Sequence, residues 1–122
     1  MMMKESENMN QAMENLLENI KKDYAEWTMR GVLAKGETEY SDINKKMISE
    51  FNDGLTVQEG RKYAKIVSSR SVWGFVQMAD DNKFKAGDIL MAAGWQGPAR
   101  NAARGNIFED YDIRWTGPNY LL

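Results

Sequence analysis

Apolar residues recur at spacings of three and four from Met9 to Trp27. Met9, Met13, Leu16, Leu17, Ile20, Tyr24 and Trp27 share one stripe, which predicts a helix over residues 9–29. Glu14, Glu18, Lys21, Lys22 and Glu26 fill the opposite side, and Glu18 with Lys22 makes a favourable pair four residues apart. A helix lying on a membrane would carry mostly Lys and Arg there, so the stripe reads as core or dimer packing. Gly31 predicts the helix stop, and residues 32–38, with Gly36, a linker. Ser41 and Asp42 supply side-chain oxygens that can cap a second helix. Tyr40, Ile43, Met47, Ile48 and Phe51 form its apolar face, and Asn52-Asp53-Gly54 its end, with Leu55 folding back.

After Gly60 the apolar period shortens to about two. Tyr63 to Val67 and Val72 to Met78 are predicted strands, joined by a hairpin loop at Ser68-Ser69-Arg70-Ser71. Asp80-Asp81-Asn82 marks a turn, and Ala86-Gly87-Asp88 a second turn or a bulge. The apolar run Ile89 to Ala93 has the length of a central strand, and Tyr111, Ile113 and Trp115 alternate with polar residues as in a half-buried one. The expected fold is α+β: two N-terminal helices packed on a curled, mostly antiparallel sheet of four to five strands. Residues 1–8 are expected to be a disordered leader and residues 9–122 a single domain.

Composition narrows the chemistry. The 122 residues include no cysteine and no histidine, which removes disulfides, thiolate metal sites, Ser-His-Asp and Cys-His nucleophiles, and nearly all zinc and haem sites. No cofactor or metal is implied. Asp80, Asp81, Asn82 and Asp88 do not match the spacing of a calcium loop and read, like Glu109, Asp110 and Asp112, as solvated turn residues. Gly94-Trp95-Gln96-Gly97 lacks the Lys-Ser/Thr ending of a phosphate loop. No apolar run approaches the roughly 20 residues of a membrane span, and the opening residues lack a secretion-signal layout, so a cytoplasmic protein without a membrane partner is expected. Net charge is −2, but residues 1–60 hold seven basic and twelve acidic side chains, whereas residues 61–122 hold nine and six. That asymmetry fits acidic surface helices, or a basic C-terminal face turned to an anionic partner or to a second copy.

One tetrapeptide pattern occurs twice, as Trp95-Gln96-Gly97-Pro98 and Trp115-Thr116-Gly117-Pro118, and uses both prolines of the chain. Gly-Pro marks a turn, and a Trp before it pins the turn to something apolar. Between the copies lies Ala99-Arg100-Asn101-Ala102-Ala103-Arg104-Gly105-Asn106, free of acidic residues. As a helical turn it would set Arg100 and Arg104 on one face, where paired guanidiniums grip phosphate or carboxylate. Trp95, Arg100, Asn101, Arg104, Asn106 and Trp115 are therefore the candidate ligand- or partner-binding residues, the indoles offering flat surfaces and the asparagines hydrogen bonds. The competing reading is structural: loop arginines bond carbonyls or nearby carboxylates, Asp110 and Asp112 among them, and Trp-x-Gly-Pro ends a strand.

Three functions remain open at this level. The first is a non-enzymatic binding or accessory module, a homo-oligomer that binds a partner or anionic ligand through the Arg100–Arg104 segment. The second is a single-stranded nucleic-acid binder using Arg100, Arg104, Arg114, Lys83 and Lys85 with Trp95 and Trp115 as stacking platforms, against which stands a pI near 5.2. The third is an enzyme for a small anionic substrate with Asp88 or Asp112 as base. The stretches Glu59-Gly60-Arg61-Lys62-Tyr63-Ala64-Lys65-Ile66-Val67, Ser71-Val72-Trp73-Gly74-Phe75 and Lys83-Phe84-Lys85-Ala86-Gly87-Asp88-Ile89-Leu90, with Pro98-Ala99-Arg100-Asn101, resemble small proteins of tailed phages that infect marine cyanobacteria. The resemblance spans residues 59–120 and carries no catalytic signature. It implies a virus-encoded accessory protein acting in the host cytoplasm on a host or viral protein.

Overall fold

A computed structural model describes residues 5–119 of the chain. The N-terminal stripe forms helix α1 (Glu5–Ala34), about 45 Å long at 1.5 Å per residue. It begins within the expected leader, whose residues 1–4 lie outside the described residues. Met9, Met13, Leu16, Ile20, Tyr24, Thr28 and Val32 are buried along one side, while Leu17 is half-buried and Trp27 lies at the margin. The helix does not stop at Gly31. A Cβ there would meet nothing within 4 Å, so the residue is simply a tolerated solvent-side glycine, and Val32 continues the buried line. Termination comes at Gly36 (φ +81°), whose N–H donates to the Leu33 carbonyl while Glu37 N–H donates to that of Val32. These are the two bonds of a Schellman end, and its left-handed position suits glycine.

Helix α2 (Asp42–Gly54) starts at the expected cap: Asn44 N–H donates to Ser41 Oγ, and Ser41 N–H to Asn44 Oδ1. Leu55 does more than fold back on the helix. It opens strand β1 (Leu55–Glu59), a strand whose buried or half-buried Leu55 and Val57 alternate with exposed Thr56 and Gln58 over too few residues to stand out beside a helix end. Strands β2 (Tyr63–Ser68) and β3 (Ser71–Gln77) form the expected hairpin, and β4 (Ile89–Leu90) completes an antiparallel sheet in the order β1-β2-β3-β4. The sheet stays open, because β1 and β4 are not neighbours.

The expected strand from Tyr111 to Trp115 is shorter and lies outside that sheet. Strands β5 (Ile113–Arg114) and β6 (Gly117–Pro118) form a separate two-stranded ribbon. Its attachment explains a break in the alternation of β3. Val67 pairs with Val72 and Ile66 with Gly74, leaving Trp73 as an extra residue. The bulge turns Trp73 to the same side as Val76, and its indole N–H donates to the Arg114 carbonyl at 2.8 Å. Pro118 lies over Gly74, where an added Cβ would come 2.9 Å from Pro118 Cγ.

The fold is thus α+β, with the helices at the N-terminal end and a mostly antiparallel sheet. The main core lies between α1 and the sheet, where Leu16 and Ile20 meet Ala64, Ile66, Val76 and Ile89. The other sheet face carries a smaller cluster of Phe75, Phe84 and Leu90, roofed by the loops that follow β3 and β4.

Candidate functional site

The arginine segment forms no helical turn. It runs back along β4 as an irregular extended strand: Ala99 N–H donates to the Met91 carbonyl, Arg104 N–H to that of Ile89, and Ile89 N–H to that of Gly105. An extended chain here satisfies the free edge of β4, whereas a helical turn would leave those groups unpaired. The two guanidiniums consequently part. Arg100 reaches across the second sheet face, donating to Asp81 Oδ2 at 2.8 Å and to the Tyr63 hydroxyl at 2.6 Å with its carbon 4.7 Å from the centre of the Phe84 ring. Arg104 turns to carbonyl oxygens of Ala102 and Asn119 and to Asn101 Oδ1.

Asp81 is the hub of this arrangement. Its Oδ1 accepts from the Lys83 and Phe84 amides, and its Oδ2 also accepts from Gln77 Nε2. The Phe84 and Lys83 amides, with Arg100 beside them, hold its carboxyl well below the usual carboxylate range. Asp81, rather than Asp110 or Asp112, is the partner of Arg100, and the ion pair raises the arginine further. Lys83 donates to the Arg100 carbonyl, and Lys83 and Lys85 belong to the loop after β3. Asn106 joins the turn before β4, donating to Asp88 Oδ1 and the Ala86 carbonyl and accepting from Phe108 N–H. Asp88 also accepts from the Lys85 amide, and Asp112 pairs with Arg114 Nη1 at 2.8 Å, which lowers its pKa. Neither carboxylate meets Arg100 or Arg104.

The repeated tetrapeptide has one architectural use in both copies: it turns a hairpin and puts proline on the returning strand, with Pro98 bridging Ala92 and Pro118 paired with Ile113. The two indoles end on different sides of the sheet. Trp95 is half-exposed at its turn with the Lys65 ammonium 4.7 Å from its ring centre. Trp115 packs on the helix side, its ring centre 5.0 Å from those of both Tyr24 and Trp27 and 5.9 Å from that of Phe51. Its amide donates to Asp23. The six residues singled out in the sequence therefore do not converge on one surface.

What the fold does bring together lies at the far end of the helix pair. Trp27, Arg30, Gly31 and Val32 of α1 and Lys35 and Glu37 of the connection line a groove of about 650 Å³ with Ser41, Ile43, Asn44 and Met47 at the start of α2. Its wall is apolar and uncovered: Ile43 is 72% exposed, Trp27 45% and Met47 41%. None of the residues of α2 is buried. Periodicity placed Trp27 on a stripe read as core or dimer packing and Ile43 and Met47 on the apolar face of the second helix, without telling which of them stay uncovered. The available signal was the width of the apolar face on α2, since Ile43 to Ile48 spans an arc of about 140° at 100° per residue. Phe51, in the middle of that arc, packs on Tyr24 of α1 with ring centres 4.2 Å apart, whereas Ile43 at its edge is left outside. A smaller polar cleft of about 320 Å³ lies between Asn19, Lys22, Asp23, Glu26 and the chain from Tyr111 to Arg114. Among the described residues no group of three or more carboxylates is placed to hold a metal, and no helix is long and apolar enough to cross a membrane.

The chain belongs to a family of unknown function, DUF7717, which it matches over residues 1–118, so the helical half is as much a part of the family as the sheet. No curated protein and no solved structure matches it.

Proposed function

We propose that this DUF7717 member is a non-enzymatic interaction module that works by seating an apolar protein segment in the groove between its two helices. The observation that carries this reading is the helix α2, which buries none of its residues and leaves Ile43 and Met47 uncovered opposite Trp27. Large apolar side chains gathered around one concavity lose free energy to water at about 25 cal/mol per Å², which a docked partner recovers. The groove takes the role first expected of the Arg100–Arg104 segment, whose side chains already serve the fold. An accessory role in the cytoplasm of an infected bacterium rests on the resemblance of residues 59–120 to phage proteins, and an interaction module suits it.

A photoreactive benzophenone side chain placed at Ile43 tests the reading. Irradiation in cell extract and in concentrated pure protein is expected to give a covalent adduct with a polypeptide in at least one of them. A matched label at exposed Lys85 gives none. Equal labelling at the two positions in both media refutes it.

A further inference from the structure

A second cleft, independent of the groove, opens on the sheet face that α1 leaves free and measures about 350 Å³. Its floor is aromatic: the rings of Tyr63 and Phe75 lie 6.0 Å apart, centre to centre, and Arg100 holds the Tyr63 hydroxyl at 2.6 Å. Lys62 and Lys65 bring two cations to it. Lys65 faces neutral partners on both neighbouring strands, Gln58 on β1 and Phe75 on β3. Neither lysine is ion-paired among the described residues. Their ammoniums rest on rings instead, Lys62 at 5.4 Å from the centre of Tyr63 and Lys65 at 4.7 Å from that of Trp95. That indole keeps 47% of its surface in water. Glu59 lines the same cleft, together with the side-chain amides of Gln58 and Gln96.

Each of these features asks for a different part of one ligand. Two ammoniums without carboxylate partners call for an anionic group such as a phosphate. A water-exposed indole offers its flat face to a planar ring. The Glu59 carboxylate repels a ligand that is anionic throughout but accepts from N–H groups, and the glutamine amides both donate and accept. A phosphate joined to a planar ring that carries N–H donors is a nucleotide. The cleft has the size for one such unit, since small-ligand sites run from roughly 300 to 1,000 Å³. The acidity of the whole chain does not oppose this, because residues 1–60 hold twelve of its eighteen acidic side chains and both helices come from that half. We propose that this cleft binds one nucleotide unit, its phosphate at Lys62 and Lys65 and its base against Trp95, with Glu59, Gln58 and Gln96 meeting the base's hydrogen-bonding groups. A free nucleotide and one residue of a single strand present the same groups.

Two titrations of the full chain test this: fluorescence anisotropy with a labelled single-stranded oligonucleotide of mixed sequence, and calorimetry with nucleoside monophosphates. Binding is expected at low salt and should weaken as salt rises. Lys62→Gln with Lys65→Gln should weaken it at least about tenfold and flatten its salt dependence, and Trp95→Ala should weaken it about fivefold or more. Lys62 and Trp95 are exposed and Lys65 is half-buried, so these variants should keep the wild-type melting curve. Lys45→Gln with Lys46→Gln takes the same charge from exposed positions of α2 and should leave binding unchanged. A monophosphate that binds assigns the cleft to free nucleotides; a strand that binds where the monophosphate does not assigns it to a single strand. Failure of both probes at low salt overturns the proposal. So does binding that either cleft variant leaves intact, that the α2 variant weakens as much, or that inorganic phosphate or polyglutamate displaces as well as a nucleotide does.

Discussion

Asp81 shows how one side chain can organise a loop that has almost no regular structure. Its four hydrogen bonds tie the turn after β3 to β3 through Gln77 and to the return segment through Arg100. Each of them favours the ionised carboxylate, so the folded state binds the proton more weakly than the unfolded chain does. The stabilisation is therefore complete above the ordinary carboxylate value of about 3.9 and is lost progressively as pH falls below it towards the lower folded value. Asp81→Asn should accordingly melt below the wild type at pH 7, with a gap that stays constant down to about pH 5 and narrows below pH 4. Thermal melts of the two proteins across that range measure it; a gap that ignores acid would mean that the charge on Asp81 is irrelevant to the fold. Arg100→Lys should also lower the melting temperature, because an ammonium cannot bridge Asp81 and Tyr63 while lying flat on Phe84.

Between elements, a close fit is made where the β5–β6 ribbon meets β3. Trp73 can reach the Arg114 carbonyl only because the bulge turns it to the helix side, and Pro118 can lie on the strand only because residue 74 has no side chain. Gly74→Ala should therefore cost about 1–3 kcal/mol, the usual range for overpacking a fitted contact. The crowding atoms are the Pro118 ring and the Leu90 carbonyl oxygen, neither of which is the end of a flexible side chain. Urea titration would measure the loss, and tryptophan fluorescence would report the shift of Trp73 and Trp115. Had the ribbon been an independent appendage, the substitution would be neutral. The period-two pattern around Ile113 located a strand correctly but said nothing about which sheet it joins, because two residues of pairing and one indole hydrogen bond decide that.

At the scale of the molecule, α1 is the lid of the sheet, and the stability of the whole domain runs through its contact line. Leu16 is fully buried against the central strands, so Leu16→Ala should destabilise by roughly 2–5 kcal/mol through lost transfer energy and the cavity left behind. That is a large part of the 5–15 kcal/mol typical of a domain, and chemical denaturation followed by circular dichroism should show one earlier, cooperative transition. Ile43, in contrast, lies outside this core, and its substitution should leave the melting curve in dilute solution unchanged.

The periodic pattern was enough to set both helices, the β2–β3 hairpin, the Ser41 cap and the α+β class, because each depends on neighbours within a few residues. Length and residue types alone removed thiol and imidazole chemistry. Tertiary structure decided the rest. It stretched the arginine segment along β4, since an open strand edge needs backbone partners more than two guanidiniums need a common face. It paired Arg100 with Asp81, a carboxylate nineteen residues away, in preference to the acids nearer in sequence. It also chose which part of the apolar face on α2 would stay in water, since a helix packing on one neighbour can hide only part of a wide stripe.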